Sequence, residues 1–108
     1  MGKAKLDQSL QFIEENLGAH LDVGFVAEQA HQSVSKFSRD FSETMGTSVW
    51  SYIKERRCLK AVGLLETTDA PASEIALDCG FSSQSHMIYA MRRALNTTPG
   101  KVRRCQVP

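Results

Sequence analysis

A chain of 108 residues has room for one domain or two very small ones, and not for a large enzyme. Hydrophobic residues make up 42% and charged residues 23%, near the average of a soluble globular chain, and no apolar run approaches the ~18 residues of a membrane span. The opening Met1-Gly2-Lys3-Ala4-Lys5 has no signal or transit character, so the expectation is a cytoplasmic protein with no membrane partner. The net charge of +1 is unevenly spread: residues 1–50 carry 4 cations and 7 anions, and residues 51–108 carry 9 and 5. Cations cluster at Lys54, Arg56, Arg57 and Lys60, at Arg92 and Arg93, and at Lys101, Arg103 and Arg104. A solvated face produces such clusters as readily as a binding site, so they support an argument without carrying it.

Leu6, Leu10, Ile13 and Leu17 recur at helical spacing before Gly18, predicting a first helix over about 5–17. Asp22 offers an N-cap to a short helix carrying Phe25, Val26 and Ala30 and ending near His31 and Gln32. Ser33 caps the next helix almost at once. There Phe37 and Phe41, with Val34 beside them, form one face, while Ser35, Lys36, Ser38, Arg39 and Ser42 occupy the others, up to a stop at Gly46. Two short helices around a tight turn, the second apolar on one side and small-polar with basic residues on the other, can set that second helix in a major groove.

Ser48 caps the longest segment, from Val49 to about Glu66, with Tyr52, Ile53, Leu59, Val62, Leu64 and Leu65 as its apolar residues and Gly63 as a mild weakness. Thr67-Thr68-Asp69-Ala70-Pro71 breaks it, and Pro71 suits the start of a helix bearing Ile75, Ala76 and Leu77, with Gly80 as the turn. Ser82 is expected to cap a helix through about Leu95, in which Met87 and Met91 are again four apart; Thr98-Pro99 starts a last short helix through Val102. All seven predicted elements are helices. The expected organisation is a first helix-turn-helix subdomain over 1–47, a linker helix over 48–67 and a second helix-turn-helix subdomain over 68–108.

The halves repeat. Asp22 matches Pro71, Val26 matches Ile75, Ala27 matches Ala76 and Ser33 matches Ser82 at an offset of 49; Phe37 with Met87, Phe41 with Met91, Gly46 with Asn96, Ser48 with Thr98 and Tyr52 with Val102 follow at 50. One residue is therefore inserted at the second turn. Asn96 in the place of Gly46 is apt, because Asn tolerates the left-handed conformation that ends helices. A linker of about 19 residues spans roughly 28 Å, comparable with the ~34 Å of one DNA turn, so two reading helices would reach successive major grooves.

The stretch Tyr52-Ile53-Lys54-Glu55-Arg56-Arg57-Cys58-Leu59-Lys60-Ala61-Val62-Gly63-Leu64-Leu65 and the stretch Glu74-Ile75-Ala76-Leu77-Asp78-Cys79-Gly80-Phe81-Ser82-Ser83-Gln84-Ser85, with Thr98-Pro99 and Phe37-Ser38-Arg39-Asp40-Phe41, resemble the DNA-binding domain of the AraC/XylS family of bacterial transcription regulators over about residues 6–104. The resemblance implies an all-α fold, double-stranded DNA as partner, and base contacts at the positions of Ser35, Lys36, Ser38 and Arg39. Arg39 can donate two hydrogen bonds to guanine, and the serines and Lys36 can meet base edges or phosphates. In the second reading helix the corresponding positions are Gln84, Ser85, His86 and Tyr89. Gln84 suits adenine; Tyr89 stands where the family often has a basic residue, and Ile88 where a polar one is usual. Phosphate contacts are expected from Lys54, Arg92 and Arg93 and from the helix starts at Ser33, Ser48, Ser82 and Thr98, whose free N–H groups attract anions, although the same residues serve as caps.

The family departs from this chain in two further places. Met87 and Met91 stand for aromatic or leucine core residues, which Met can replace as a space filler. His31 stands where the first turn usually has Gly, requiring a positive φ from a residue that adopts it at modest cost.

Two other readings compete. A helical adaptor would use Ile88, Tyr89 and the exposed cations to hold another protein, and would lack the steep salt dependence of duplex binding. An enzyme or metal site finds no support: His20, His31 and His86 are far apart, Cys58, Cys79 and Cys105 form no C-x-x-C pair, and there is no nucleophile motif or phosphate loop. No cofactor or catalytic residue is expected. RNA polymerase and an effector or dimerisation domain outside this chain complete the candidate partners, on the expectation that so weakly charged a module is the excised part of a longer regulator.

Overall fold

The computed structural model describes residues 2–105, and every regular element among them is a helix. In chain order they are α1 (Lys3–Glu15), α2 (Val23–Gln29), α3 (Val34–Met45), α4 (Val49–Thr67), α5 (Ala72–Asp78), α6 (Gln84–Leu95) and α7 (Pro99–Arg104). The chain divides within α4 into two compact units, one ending at Ile53 and one starting at Lys54.

The first unit closes around Ile13, Leu17, Leu21, Val26, Ala27, Ala30, Phe37, Phe41, Val49 and Ile53. Phe37 and Phe41, one helical turn apart, lie with ring centroids 5.7 Å apart, and Tyr52 meets Phe41 edge-on at 5.6 Å, so aromatic packing fixes the buried side of α3. The expected apolar stripe of α1 is only partly buried: Leu6 and Leu10 pack against the edge of the core, and Ser9 is fully enclosed with its hydroxyl donating to the Leu6 carbonyl at 2.7 Å. The helix stops at Glu15 rather than near Leu17, because Asn16 turns its amide back to the Phe12 carbonyl at 2.8 Å. Leu17 still reaches the core from beyond the helix end.

The second unit closes around Cys58, Ala61, Leu65, Ile75, Ala76, Cys79, Phe81, Met87 and Met91. Two of the three thiols are therefore core residues. Burial, with Cys79 nearby, pushes the Cys58 thiol up to about 11, and burial raises Cys79 too. Four residues expected to pack are instead solvent-facing, with Phe25 48%, Val34 50%, Leu59 38% and Leu77 63% exposed. In seven-residue α2 and α5 only the stripe through Val26 and Ala27, or Ile75 and Ala76, reaches the core, which leaves no room for a third adjacent apolar position.

The repeat holds in the backbone. Ala30 and Cys79 end α2 and α5, His31 (φ 55°) and Gly80 (φ 90°) make the left-handed turn, and the N–H groups of Gln32 and Phe81 reach back to the Ala27 and Ala76 carbonyls at 3.1 and 2.9 Å. His31 thus adopts the positive φ its position demands. Ser33 accepts from the Lys36 N–H at 3.2 Å, but its counterpart is Ser83, not Ser82: Ser83 accepts from the His86 N–H at 3.0 Å and α6 begins after it. The inserted residue is Ser82, and the offset changes before the cap rather than after it. Beyond it Gly46 (φ 75°) and Asn96 (φ 53°) end α3 and α6 alike, and Ser48 and Thr98 cap the next helices by accepting from Ser51 and Lys101 at 3.1 and 3.2 Å.

α7 extends to Arg104, beyond the expected end at Val102, and the extra turn has a structural use. Arg103 donates from Nη2 to the Thr68 and Ala70 carbonyls at 3.0 and 2.6 Å and from Nε to the Leu65 carbonyl at 3.4 Å. It ties down the open carbonyls where α4 ends.

Candidate nucleic-acid interface

With Phe37 and Phe41 turned inward, α3 presents Ser35, Lys36, Arg39 and Ser42 to solvent, with Ser38 half-buried beside them. Ser35, Ser38, Arg39 and Ser42 follow one another at three and four residues and so share a stripe. Arg39 makes no hydrogen bond or ion pair among the described residues and is available for a ligand. Lys36 is engaged: its Nζ lies 3.1 Å from Asp40 Oδ2, which also accepts from Gln32 Nε2 at 3.3 Å. The hydrogen bond from Lys36 holds the Asp40 carboxyl below its ordinary range. A phosphate or base must therefore compete with Asp40 for Lys36. Sequence reasoning missed Asp40 and Gln32, although an i, i+4 Lys–Asp pair is legible in any helix.

With Met87 and Met91 inward, α6 presents Gln84, Ser85, His86 and Tyr89, while Ile88 is half-buried. Ile88 lies between Gln84 and Arg92 along an open groove of about 410 Å³ whose far side is Leu65, Pro99 and Arg103. That placement accounts for an apolar residue at a position where a polar one was expected. Tyr89 is 61% exposed, and the Arg93 guanidinium lies 5.8 Å from its ring centroid. His86 is held through Nδ1, which is 3.3 Å from the Ser82 backbone nitrogen and 3.1 Å from Ser82 Oγ.

The expected phosphate contacts are distributed over both units. Ser33 and Ser48 cap helices in the first; Lys54, Arg92, Arg93 and Thr98 belong to the second, with all but Thr98 exposed. Ser82 is exposed but does not open a helix, so the helix-start role at α6 passes to Ser83. Arg92 and Thr98 border a second groove of about 500 Å³ with Asn96, Thr97, Lys101 and Arg104. Lys101 and Arg104 were visible only as members of a basic cluster, since nothing in the sequence separates them from Arg103, whose guanidinium is committed to carbonyls. Lys60 likewise donates to the Asp78 carbonyl at 3.3 Å, and Arg57 is buried.

Among the described residues, no group of three His, Cys, Asp or Glu side chains comes together as a metal site, and no helix is long and apolar enough to cross a membrane.

Comparison with known proteins gives the same architecture a family. The helix-turn-helix domain family matches residues 26–105. A transcriptional regulator of known structure from Chromobacterium violaceum, described as AraC-type, is 30% identical with a TM-score of 0.91, over 97% of this chain and 94% of that one. The DNA-binding domain of AdpA, a global transcriptional factor solved in complex with a target DNA, is 31% identical with a TM-score of 0.87, over 94% of this chain and 91% of that one. The transcriptional activator RhaS of Salmonella schwarzengrund is 32% identical over 100 residues, which are 93% of this chain and 36% of that protein. The chain thus spans about a third of the length of the curated relatives it matches. On its paired turns, the seven helices among its described residues and these similarities, it belongs to the AraC-type helix-turn-helix DNA-binding domains, a family of non-enzymatic transcription-regulator modules.

Proposed function

We propose that this chain is the sequence-specific DNA-binding part of a bacterial transcription regulator, with α3 and α6 each entering a major groove of double-stranded DNA. The observation that carries the proposal is the two-sidedness of α3: Phe37 and Phe41 are fully buried, while Ser35, Lys36 and the unengaged Arg39 face solvent from the first two turns. Those turns are the part of a recognition helix that reaches base edges. Base contacts are assigned to Ser35, Lys36, Ser38 and Arg39 in the first unit and to Gln84, Ser85, His86 and Tyr89 in the second. Phosphate contacts are assigned to Ser33, Ser48, Lys54, Arg92, Arg93 and Thr98, to Ser83 at the α6 cap in place of Ser82, and to Lys101 and Arg104 with them. AdpA, bound to its target DNA, and RhaS, an activator, support a regulatory role. RNA polymerase is the proposed protein partner, effector or dimerisation functions belong to segments outside the matched region, and the cytoplasm is the proposed place of action.

Selection from randomised duplexes, followed by affinity against salt, tests this. Several phosphate contacts predict log affinity falling with log salt at about −0.9 per contact. Arg39→Ala is expected to relax preference at one base pair and to cost roughly 1–3 kcal/mol, while Arg92→Ala weakens all sequences alike. Duplex binding without salt dependence would overturn the reading in favour of a protein-binding adaptor, and an unchanged preferred site in Arg39→Ala would overturn the base-reading role of Arg39.

A further inference from the structure

The turn before α6 is one residue longer than the turn before α3, and the extra residue is bonded to a side chain of the helix it precedes. The Ser82 N–H lies 3.3 Å from His86 Nδ1, and Ser82 Oγ lies 3.1 Å from the same nitrogen. A backbone N–H only donates, so Nδ1 accepts, and in a neutral imidazole the one ring proton is then on Nε2. The buried ring of Phe81 meets the imidazole edge-to-face, with centroids 5.4 Å apart and planes at 85°. The His86 main chain is fixed as well, its N–H donating to Ser83 Oγ at 3.0 Å. Nε2 has no hydrogen-bond partner among the described residues, and the residue is exposed in the first turn of α6.

We propose that His86 is a specificity-determining residue of the second unit, a fixed single donor that presents Nε2–H to an acceptor on duplex DNA, and that Ser82 is the residue that positions it. This rests on the reading that α6 contacts DNA. A neutral imidazole of this tautomer donates once through Nε2 and has no acceptor left to offer. It fits guanine N7 or O6, adenine N7, thymine O4 or a phosphate oxygen, and it is mismatched to the amino edge of cytosine. Holding the ring before binding reduces the rotamer entropy lost on contact, which favours a donor of this kind over a freely turning side chain. In the first unit the equivalent of His86 is Lys36, whose main-chain N–H is bonded to Ser33 in the same way, but no residue corresponds to Ser82. The longer turn therefore supplies an orienting contact that the first unit lacks.

The test separates the two ring nitrogens. Asn places an acceptor near Nδ1 and nothing at Nε2, whereas Gln places an amide nitrogen near Nε2. His86→Gln is expected to keep duplex affinity within about threefold, and His86→Asn to keep thermal stability but lose about tenfold, the order of one hydrogen bond. A loss confined to one base-pair identity in site selection assigns the acceptor to a base and supports the proposal, whereas an equal loss on all sequences assigns it to phosphate and overturns the specificity role. Nitrogen-15 NMR of the free chain at about pH 8, above the ordinary histidine range, is expected to show the Nε2–H tautomer at His86 and a mixed population in Ser82→Pro, which lacks the N–H. An Nδ1–H tautomer in the unsubstituted chain, or unchanged duplex affinity in a folded His86→Asn, would overturn the proposal. Failure of the unsubstituted chain to bind any duplex would instead overturn the DNA-binding reading and the reader role with it, whatever the tautomer.

Discussion

Removing the Arg103 side chain tests whether a residue of a basic cluster serves the fold rather than DNA. Its guanidinium donates to three carbonyls around the end of α4, at 2.6, 3.0 and 3.4 Å. A hydrogen bond from a charged group contributes about 1.5–3 kcal/mol net when its acceptor is shielded, and far less where water can replace it. Ala70 accepts the shortest bond and is partly buried, so it counts in full at about 1.5–2 kcal/mol; Thr68 is exposed and the Leu65 bond is long, so each adds a few tenths. Arg103→Ala should therefore destabilise the second unit by about 2–3 kcal/mol, or roughly 20 °C for a unit of this size. Arg103→Lys, a point charge without the fork, should recover about half. Arg104→Ala, at an exposed neighbour, should stay within about 0.5 kcal/mol. Urea unfolding followed by circular dichroism measures all three. A stable Arg103→Ala whose duplex binding has lost one phosphate contact's worth of salt dependence would refute the clamp and return Arg103 to the DNA face.

The remaining predictions concern the first turn and the thiols. His31 holds φ 55° without the freedom of glycine, so His31→Gly should stabilise the first unit by about 0.5–1 kcal/mol in the same urea assay; a loss of stability would mean the imidazole makes a contact worth more than the relieved strain. Of three free thiols, only Cys105 is exposed, so a thiol reagent should label one cysteine rapidly in the folded chain and three after denaturation. Burial raises Cys58 and Cys79, which keeps them as thiols at neutral pH, and rapid native labelling of either would show that the second core opens readily.

Much of the fold was legible because it is written in local signals. Asp22, Ser33, Ser48 and Thr98 accept the predicted cap bonds, and Gly46 and Asn96 adopt the left-handed stops expected of them. What failed was of two kinds. Every apolar residue of a short helix reads as a core residue in the sequence, yet Phe25 and Leu77 face solvent because a two-turn helix buries only one narrow stripe. Ser82 and Ser83 are chemically identical candidates for one cap, and only the path of the turn, which carries Phe81 into the core first, decides between them. At the site, the reading faces were legible from periodicity, whereas the fates of the cations were not. Lys60 and Arg103 look alike in sequence to Arg39 and Arg104, and what separates them is a carbonyl brought near by the fold.

That sorting of cations bears on how the two proposed readers divide their work. Residues 1–50 carry more anions than cations, and within α3 one of the two cations, Lys36, is already paired with Asp40. The first unit therefore has little unspent positive charge with which to grip a phosphate backbone, and under the proposed contacts its hold on DNA comes from those that depend on the sequence, with Arg39 foremost. The second unit keeps exposed Lys54, Arg92, Arg93, Lys101 and Arg104 even after Arg57, Lys60 and Arg103 are committed to the fold. Under the proposed phosphate contacts its grip is general, which makes any specificity there depend on groups that discriminate without charge. Gln84 and a His86 whose Nδ1 is already engaged by Ser82 are such groups, whereas Tyr89 lies under the Arg93 guanidinium and shares its face with a cation. Weak electrostatics paired with Arg39 in one unit, and strong electrostatics paired with neutral donors in the other, would let the second unit find the backbone and the first decide whether to stay.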